Sequence, residues 1–327
     1  MCRHFAYLGE QVAISALLFD PPHGLVEQAW APRRQRHGTM NVDGFGIGWY
    51  ADGDPLPARY RRTGPIWSDD CLPDLARVTR TRAMLGAVRS ASVGTDTGVS
   101  SAAPYAEGRW LFSLNGALIG WSAAAAGPVT RRRRTSVAAS AGAVRQPGAG
   151  PAMTAALDAA EQAGESITEP HPKASTASLT EAAAGVRRLA ARLPSADLLR
   201  LQARCDTALV WALVLARLWA GQPAADALAG TVGDIAAAGV TGRFNLLLTD
   251  GRAIAATAAG DSLCYRHRPA GVIVASEPSD DDPGWQDVPD GSVLEATTVA
   301  VAVRPLPHLS HRDSHRDSHR GREARRS

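Results

Sequence analysis

The sequence is nearly without lysine and has no long hydrophobic run. Lys173 is the only lysine, so arginine carries almost all of the positive charge. The longest apolar stretch, residues 208–216, ends at Arg217, far short of the ~20 residues that a membrane-spanning helix requires. Glu10 and Gln11 interrupt the first twenty residues, which therefore lack the apolar core of a secretory signal. These absences predict a cytoplasmic protein that does not bind membranes.

Cysteine is scarce and follows no metal-binding pattern. The four cysteines are Cys2, Cys71, Cys205 and Cys264, and they form neither a C-x-x-C pair nor the spacing of a metal site. We expect no metal, reduced thiols, and inert core positions for Cys205 and Cys264. Cys2 is unusual because it directly follows the initiator methionine.

Charge is balanced along most of the chain and basic only at its end. Residues 307–327 hold six arginines against three acidic residues, which leaves 29 residues of each sign elsewhere. A nucleic-acid-binding module normally carries its basic surplus on the fold itself. With 45% hydrophobic and 20% charged residues, the chain is neither wholly disordered nor a coiled coil. We therefore expect a globular protein whose main function does not involve nucleic acid.

Hydrophobic patterning separates two ordered regions. It predicts strands at residues 45–50, 83–88, 110–114, 244–248, 253–258, 271–275 and 293–303, and helices at 179–193 and 207–219. Asn115-Gly116 and Asp250-Gly251 are typical turn pairs. Residues 127–178, rich in alanine, glycine, serine and proline, predict a disordered insertion, and the Ser-His-Arg-Asp repeats predict a disordered tail at 307–327. The element order indicates a layered α+β domain.

Cys2 has the position of an N-terminal nucleophile. If Met1 is removed, one residue carries both a thiol and a free α-amine, and that amine titrates near ~8. The amine can then accept the thiol proton directly or through one water, in place of a histidine base. The alternative from position alone is a small buried hydrophobic residue.

Five motifs in order resemble the class II glutamine amidotransferases, which are N-terminal nucleophile hydrolases. They are MCRHFAY at residues 1–7, HGTMNVDGFGIGWY at 37–50, GAVRSAS at 86–92, SLNG at 113–116 and CDT at 205–207. The resemblance implies a four-layer αββα sandwich of the α+β class. It also implies one type-2 amidotransferase domain over residues 2–306, which the 127–178 insertion interrupts. It also implies catalysis without a metal or an organic cofactor.

The resemblance assigns a role to each matching residue. Cys2 is the nucleophile, while the Asn115 side chain and the Gly116 backbone N–H form the oxyanion hole. Arg89 binds the α-carboxylate of a glutamyl group, and Asp206 binds its α-ammonium. Taken singly, Asn115-Gly116 fits a hairpin turn, Arg89 a surface salt bridge and Asp206 the N-cap of the 207–219 helix.

Three other positions receive less direct roles. Many members of the family have histidine before the Asn-Gly pair, where this chain has Leu114, but neither oxyanion donor is changed. His4 and His37 are expected to be structural, because the α-amine makes a histidine base unnecessary.

The opening motif, residues 31–50 and NLLLTDG at 245–251 are most similar to one branch of the family. This branch comprises the amidohydrolases of ergothioneine biosynthesis, which cleave a γ-glutamyl amide of hercynylcysteine S-oxide. The expected partner is thus a small-molecule γ-glutamyl substrate. Two alternatives remain open: a glutaminase subunit that supplies ammonia to a separate synthase, and a polyanion-binding protein acting through residues 131–134 and the tail.

Overall fold

The computed structural model of the protein describes residues 2–92, 94–126 and 176–307. The strands in these ranges are β1 Cys2–Ala13, β2 Phe45–Trp49, β3 Ala58–Arg62, β4 Arg80–Arg89, β5 Tyr105–Glu107, β6 Trp110–Leu118, β7 Gly242–Thr249, β8 Ile254–Ala258, β9 Cys264–Arg268, β10 Gly271–Ala275, β11 Gln286–Asp287, β12 Ser292–Ala296 and β13 Val301–Pro305. The helices are α1 Ser15–Leu18, α2 Leu25–Trp30, α3 Leu72–Val78, α4 Trp121–Ala125, α5 Thr176–Ala190, α6 Ser195–Leu199, α7 Asp206–Trp219 and α8 Ala224–Ala237.

The strands form two sheets in which all neighbours pair antiparallel. Sheet A has the order β11-β9-β10-β1-β4-β2-β3, and sheet B has the order β13-β12-β8-β7-β6-β5. β1 and β4 lie inside sheet A, and β6 and β7 lie inside sheet B. Of the residues expected to carry the chemistry, all except Asp206, which begins α7, therefore belong to interior strands of the two sheets.

Side-chain alternation gives each sheet two buried faces. In β1, Ala6 and Leu8 point into an apolar layer that sheet B fills with Leu111 and Leu247, whereas Phe5 and Tyr7 pack on the far side. That far side is covered by α1, α2 and α3. The inner face of β1 therefore looks directly at sheet B.

A second helical layer covers sheet B. α7 and α8 bury residues such as Trp211 and Leu228 against the outward-facing residues of β6 and β7, and Trp211 stacks on Phe112 with 4.9 Å between ring centroids. The layers thus run helix, sheet, sheet, helix. The predicted α+β fold with an αββα arrangement is confirmed.

Several predicted boundaries are wrong. The Asn115-Gly116 turn does not form, because β6 continues to Leu118 and pairs with β7 across both residues. The strand predicted at residues 293–303 is a hairpin of β12 and β13. The sequence patterns also leave several elements unpredicted, among them β1, β3, β9 and α8.

The predicted disordered segments lie almost entirely outside the described residues. Helix α5 begins at Thr176, so the last three residues assigned to the 127–178 insertion are helical instead. Of the predicted tail, only Pro307 is described. Within the described residues, every helix is too short or too polar to cross a bilayer.

Candidate active site

Cys2 begins β1 on the face that looks toward sheet B. In the antiparallel register it lies directly opposite Arg89, the last residue of β4. Its main-chain nitrogen donates a hydrogen bond to Oδ1 of Asn115 on sheet B, at 3.3 Å. Cys2 is partly exposed, so the junction of the two sheets leaves it accessible to a small molecule.

Asn115 is fully buried on the inner face of β6. Its Oδ1 accepts the hydrogen bond from the Cys2 nitrogen, and its Nδ2 donates to Oγ of Ser276 at 3.4 Å. A carboxamide nitrogen has two N–H groups, so the contact with Ser276 leaves one donor of Asn115 for a ligand.

The Gly116 N–H points to the open edge of β6. Backbone N–H groups alternate between the two edges of a strand, and Leu118, two residues later, donates its N–H to Asp206 rather than to β7. β5 pairs only as far as Phe112, so within the described residues no strand pairs with this edge beyond it. A Cβ at position 116 would lie 1.9 Å from the Arg243 carbonyl oxygen, so only glycine fits there.

Asp206 is buried at the same edge of β6. One carboxylate oxygen accepts the Leu118 N–H at 3.1 Å, and the other accepts the Thr207 N–H at 2.8 Å. Burial raises the pKa of Asp206, and these two hydrogen bonds and the charge of Arg89 offset only part of that rise. Asp206 is the first residue of α7, and Cys205 holds the N-cap position predicted for it.

The Arg89 guanidinium is nearly buried, at 9% exposure. Its Nη2 donates to Oγ1 of Thr95 at 3.0 Å and to the Asp96 carbonyl at 2.8 Å. Its Nη1 is buried and has no hydrogen-bond partner within the described ranges. The surface salt bridge that fits Arg89 taken singly does not form within the described residues; Arg89 is a nearly buried cation with an unused donor.

Sequence reasoning missed a buried polar cluster below Cys2. His4 contacts Ser113 on sheet B, with Nδ1 and Oγ 3.0 Å apart, and the His4 N–H donates to Oγ of Ser276 at 3.1 Å. Burial, assisted by the charge of Arg3, lowers the pKa of His4 to about 3. His4 is thus a neutral residue between the sheets. Serine has no strong positional pattern, so only the alternation along β6 could have indicated Ser113.

Glu277 fixes the segment that leads from α2 towards the site. Fully buried, it accepts hydrogen bonds from Nε2 of His23 at 2.8 Å and from the backbone N–H groups of Arg33 and Arg34. Burial opposes the charge, yet these bonds and nearby Arg3 lower the pKa of Glu277 overall. The segment therefore stays attached to the end of β10.

The remaining sequence candidates lie away from this constellation or do not face it. His37 is exposed, Cys264 is buried, and burial raises the pKa of both Cys205 and Cys264. Leu114 faces the helical layer, on the side of β6 opposite Asn115. In the part of the chain that the structure describes, no group of three or more potential ligands is placed to hold a metal ion.

Two mycobacterial proteins are similar to nearly the whole chain. Both are named gamma-glutamyl-hercynylcysteine sulfoxide hydrolase. The one from Mycobacterium tuberculosis (strain CDC 1551 / Oshkosh) is 33% identical over 306 residues, which cover 94% of this chain and 97% of the relative. The one from Mycolicibacterium smegmatis is 32% identical over the same share of this chain and 100% of its own length. No model of a protein family matches the chain.

The fold is similar to that of a solved amidotransferase domain. A glutamine aminotransferase class-II domain protein from Silicibacter pomeroyi superposes with a TM-score of 0.55 at 18% identity, covering 93% of this chain and 99% of that one. At this identity the likeness concerns the fold alone.

Proposed function

The chain belongs to the γ-glutamyl-hercynylcysteine sulfoxide hydrolase family, and on this basis we propose that it releases glutamate from γ-glutamyl-hercynylcysteine sulfoxide through a Cys2 thioester. The family membership makes it an amidohydrolase. The observation that carries the proposed chemistry is the 3.3 Å contact between the Cys2 nitrogen and Asn115. It joins the candidate nucleophile on one sheet to the candidate oxyanion donor on the other.

The first step is attack by Cys2 on the γ-carbonyl carbon. Removal of Met1 turns the Cys2 nitrogen into a free α-amine, which takes the thiol proton. The sulfur then forms a bond to the carbonyl carbon, and the carbonyl π electrons move onto oxygen. The hydrogen bond to Oδ1 of Asn115 orients the amine for this transfer.

Asn115 and Gly116 stabilise the oxyanion that this attack creates. The free N–H of the Asn115 amide and the backbone N–H of Gly116 are the two donors. Loss of one such donor typically raises a barrier by ~2.7–4 kcal/mol. Burial of Asn115 strengthens its contribution, because water does not compete for the hydrogen bond.

Collapse of the tetrahedral intermediate breaks the amide bond. The α-ammonium of Cys2 returns its proton to the departing nitrogen, and a γ-glutamyl thioester remains. A water molecule then attacks the thioester, with the α-amine again accepting a proton. Hydrolysis releases glutamate and restores the Cys2 thiol.

Arg89 and Asp206 are proposed to bind the amino-acid end of the substrate. The unused Nη1 of Arg89 is available to the α-carboxylate, with which it can form a charge-assisted hydrogen bond. The Asp206 carboxylate, already held by Leu118 and Thr207, offers its remaining lone pairs to the α-ammonium. Opposite charges on the two residues match the zwitterion.

Glutamate release by purified protein tests this function. We expect γ-glutamyl-hercynylcysteine sulfoxide to be hydrolysed by the native protein and by a Cys71→Ala control, whose cysteine is exposed. Cys2→Ala is expected to lose activity. Full activity in Cys2→Ala contradicts the mechanism, and a large preference for free glutamine favours an ammonia-supplying glutaminase instead.

A further inference from the structure

Ser276 lies directly beneath the Asn115 amide. It follows β10, is fully buried, and is held opposite His4 at the start of β1. Its backbone N–H donates to the His4 carbonyl at 2.9 Å, and its Oγ accepts the His4 N–H at 3.1 Å. Ser262 donates to the Ser276 carbonyl at 2.7 Å. The two bonds with His4 fix the Ser276 hydroxyl oxygen beside the start of β1.

The Asn115 amide is held at both of its ends. Its Oδ1 accepts from the Cys2 nitrogen at 3.3 Å, and one Nδ2–H is donated to Oγ of Ser276 at 3.4 Å. A primary amide has one acceptor oxygen and two N–H donors. With one donor bound to Ser276, the geometry of the amide plane determines where the other points.

We propose that Ser276 is a positioning residue for the oxyanion hole, an inference that rests on the proposed function. Its hydroxyl oxygen holds one N–H of Asn115 so that the second N–H faces the developing oxyanion. The serine touches neither the substrate nor the nucleophile. It acts through Asn115 alone.

This role predicts an effect on turnover rather than on substrate binding. Without the Ser276 hydroxyl, the amide can rotate about its terminal bond, and a rotated amide presents its oxygen to the oxyanion. That arrangement is repulsive in the transition state. The residues proposed to bind the glutamyl head group, Arg89 and Asp206, are unchanged.

The primary test compares Ser276→Ala with Ser262→Ala. Ser262 contacts the carbonyl of Ser276 but has no bond to Asn115, so it controls for disturbance of the same cluster. We expect Ser276→Ala to lower kcat about tenfold, the equivalent of one net hydrogen bond, with KM changed by less than about twofold. Ser262→Ala is expected to retain the native kcat, and thermal unfolding of all variants reports whether each is folded.

A double-mutant cycle with Asn115→Ala then tests whether the effect of Ser276→Ala on kcat depends on Asn115. If Ser276 acts through Asn115, Ser276→Ala has no further effect on kcat in the Asn115→Ala background. Ser276→Cys keeps the side-chain volume with a weaker acceptor, and serves if the alanine variant does not fold. Additive losses, or native kcat in both Ser276 variants, overturn the positioning role. Native kcat in Asn115→Ala instead overturns the proposed function itself.

Discussion

At the scale of single residues, the site depends on polar groups that are buried and only partly satisfied. Asn115 and Asp206 each use some of their hydrogen-bonding capacity within the fold, and Arg89 has a buried nitrogen without a partner in the described part of the chain. Leaving such groups unpaired costs stability. In the proposed function, a zwitterionic substrate uses the remaining capacity.

The buried carboxylate of Asp206 predicts a distinctive pH dependence of KM. Only the ionised form attracts an α-ammonium group, so KM rises as pH falls through the pKa of Asp206. Because burial raises this pKa, the rise begins at a higher pH than for an ordinary aspartate.

Steady-state kinetics across the acidic range test this dependence. Asp206→Asn, which has no ionisable group at this position, is expected to show a high KM at neutral pH and to lose this part of the pH dependence. If Asp206→Asn retains the native KM profile, Asp206 does not bind the ammonium group.

At the scale of the elements, β6 carries both proposed oxyanion donors, the Asn115 amide and the Gly116 backbone N–H, on one continuous strand. A hairpin turn at this pair would have separated them. The Asn-Gly pair is typical of hairpins, yet here Asn115 pairs with Asn245, and the strand continues. The extended backbone sends the Asn115 side chain towards Cys2 and the Gly116 N–H to the open edge. A continuous strand is therefore necessary for the proposed oxyanion hole.

Gly116→Ala tests how closely β6 and β7 approach. A Cβ would lie 1.9 Å from the Arg243 carbonyl oxygen, and a backbone atom cannot move aside without separating the strands. We expect a loss of several kcal/mol in unfolding free energy, of the order seen for overpacking or lost backbone hydrogen bonds. Chemical denaturation measures it.

Gly98→Ala is the matched control for this measurement. Its Cβ would meet neighbouring atoms only at 3.4 Å or more, in ordinary contact, and its φ of −68° suits alanine. It should leave the unfolding free energy nearly unchanged. Equal stability of the two variants contradicts the close approach.

The His4–Ser113 contact joins β1 to β6 and predicts a loss of stability in acid. The pKa of His4 is about 3 in the folded chain, against an ordinary 6.5. The contribution of neutral His4 to the free energy of unfolding is therefore complete above pH 6.5. It declines as pH falls towards 3, by at most about 1.4 kcal/mol per pH unit.

The variant His4→Asn cannot titrate and should lack this part of the decline. Denaturation at several pH values, with the native protein as reference, measures the difference in slope. Identical slopes for the two proteins contradict a neutral, buried His4.

Sequence reasoning recovered the elements with regular patterns and missed those without them. The strand at residues 271–275 was predicted with the bounds it has, and α7 with a difference of one residue. β1 shows no regular pattern, because polar and apolar residues occupy both of its faces and residues 3–8 are all buried. Ser276 was not predicted, because its proposed role arises from a contact between residues 161 positions apart, which no local pattern records.

At the scale of the whole molecule, the site exists only when the two sheets pack together. Sheet A contributes Cys2 and Arg89, sheet B contributes Asn115 and Gly116, and the outer helix α7 contributes Asp206. The apolar layer between the sheets sets their separation. The proposed catalytic groups are therefore brought together only where the two sheets and α7 pack against one another.

Intact-mass analysis of the purified protein, with and without a glutamine-mimicking electrophile, tests the central claim most directly. We predict a mass that lacks Met1 and a single adduct on Cys2 that abolishes glutamate release. A protein that retains Met1 yet turns over at the full rate, or an adduct on another cysteine accompanied by loss of activity, would contradict an N-terminal Cys2 nucleophile.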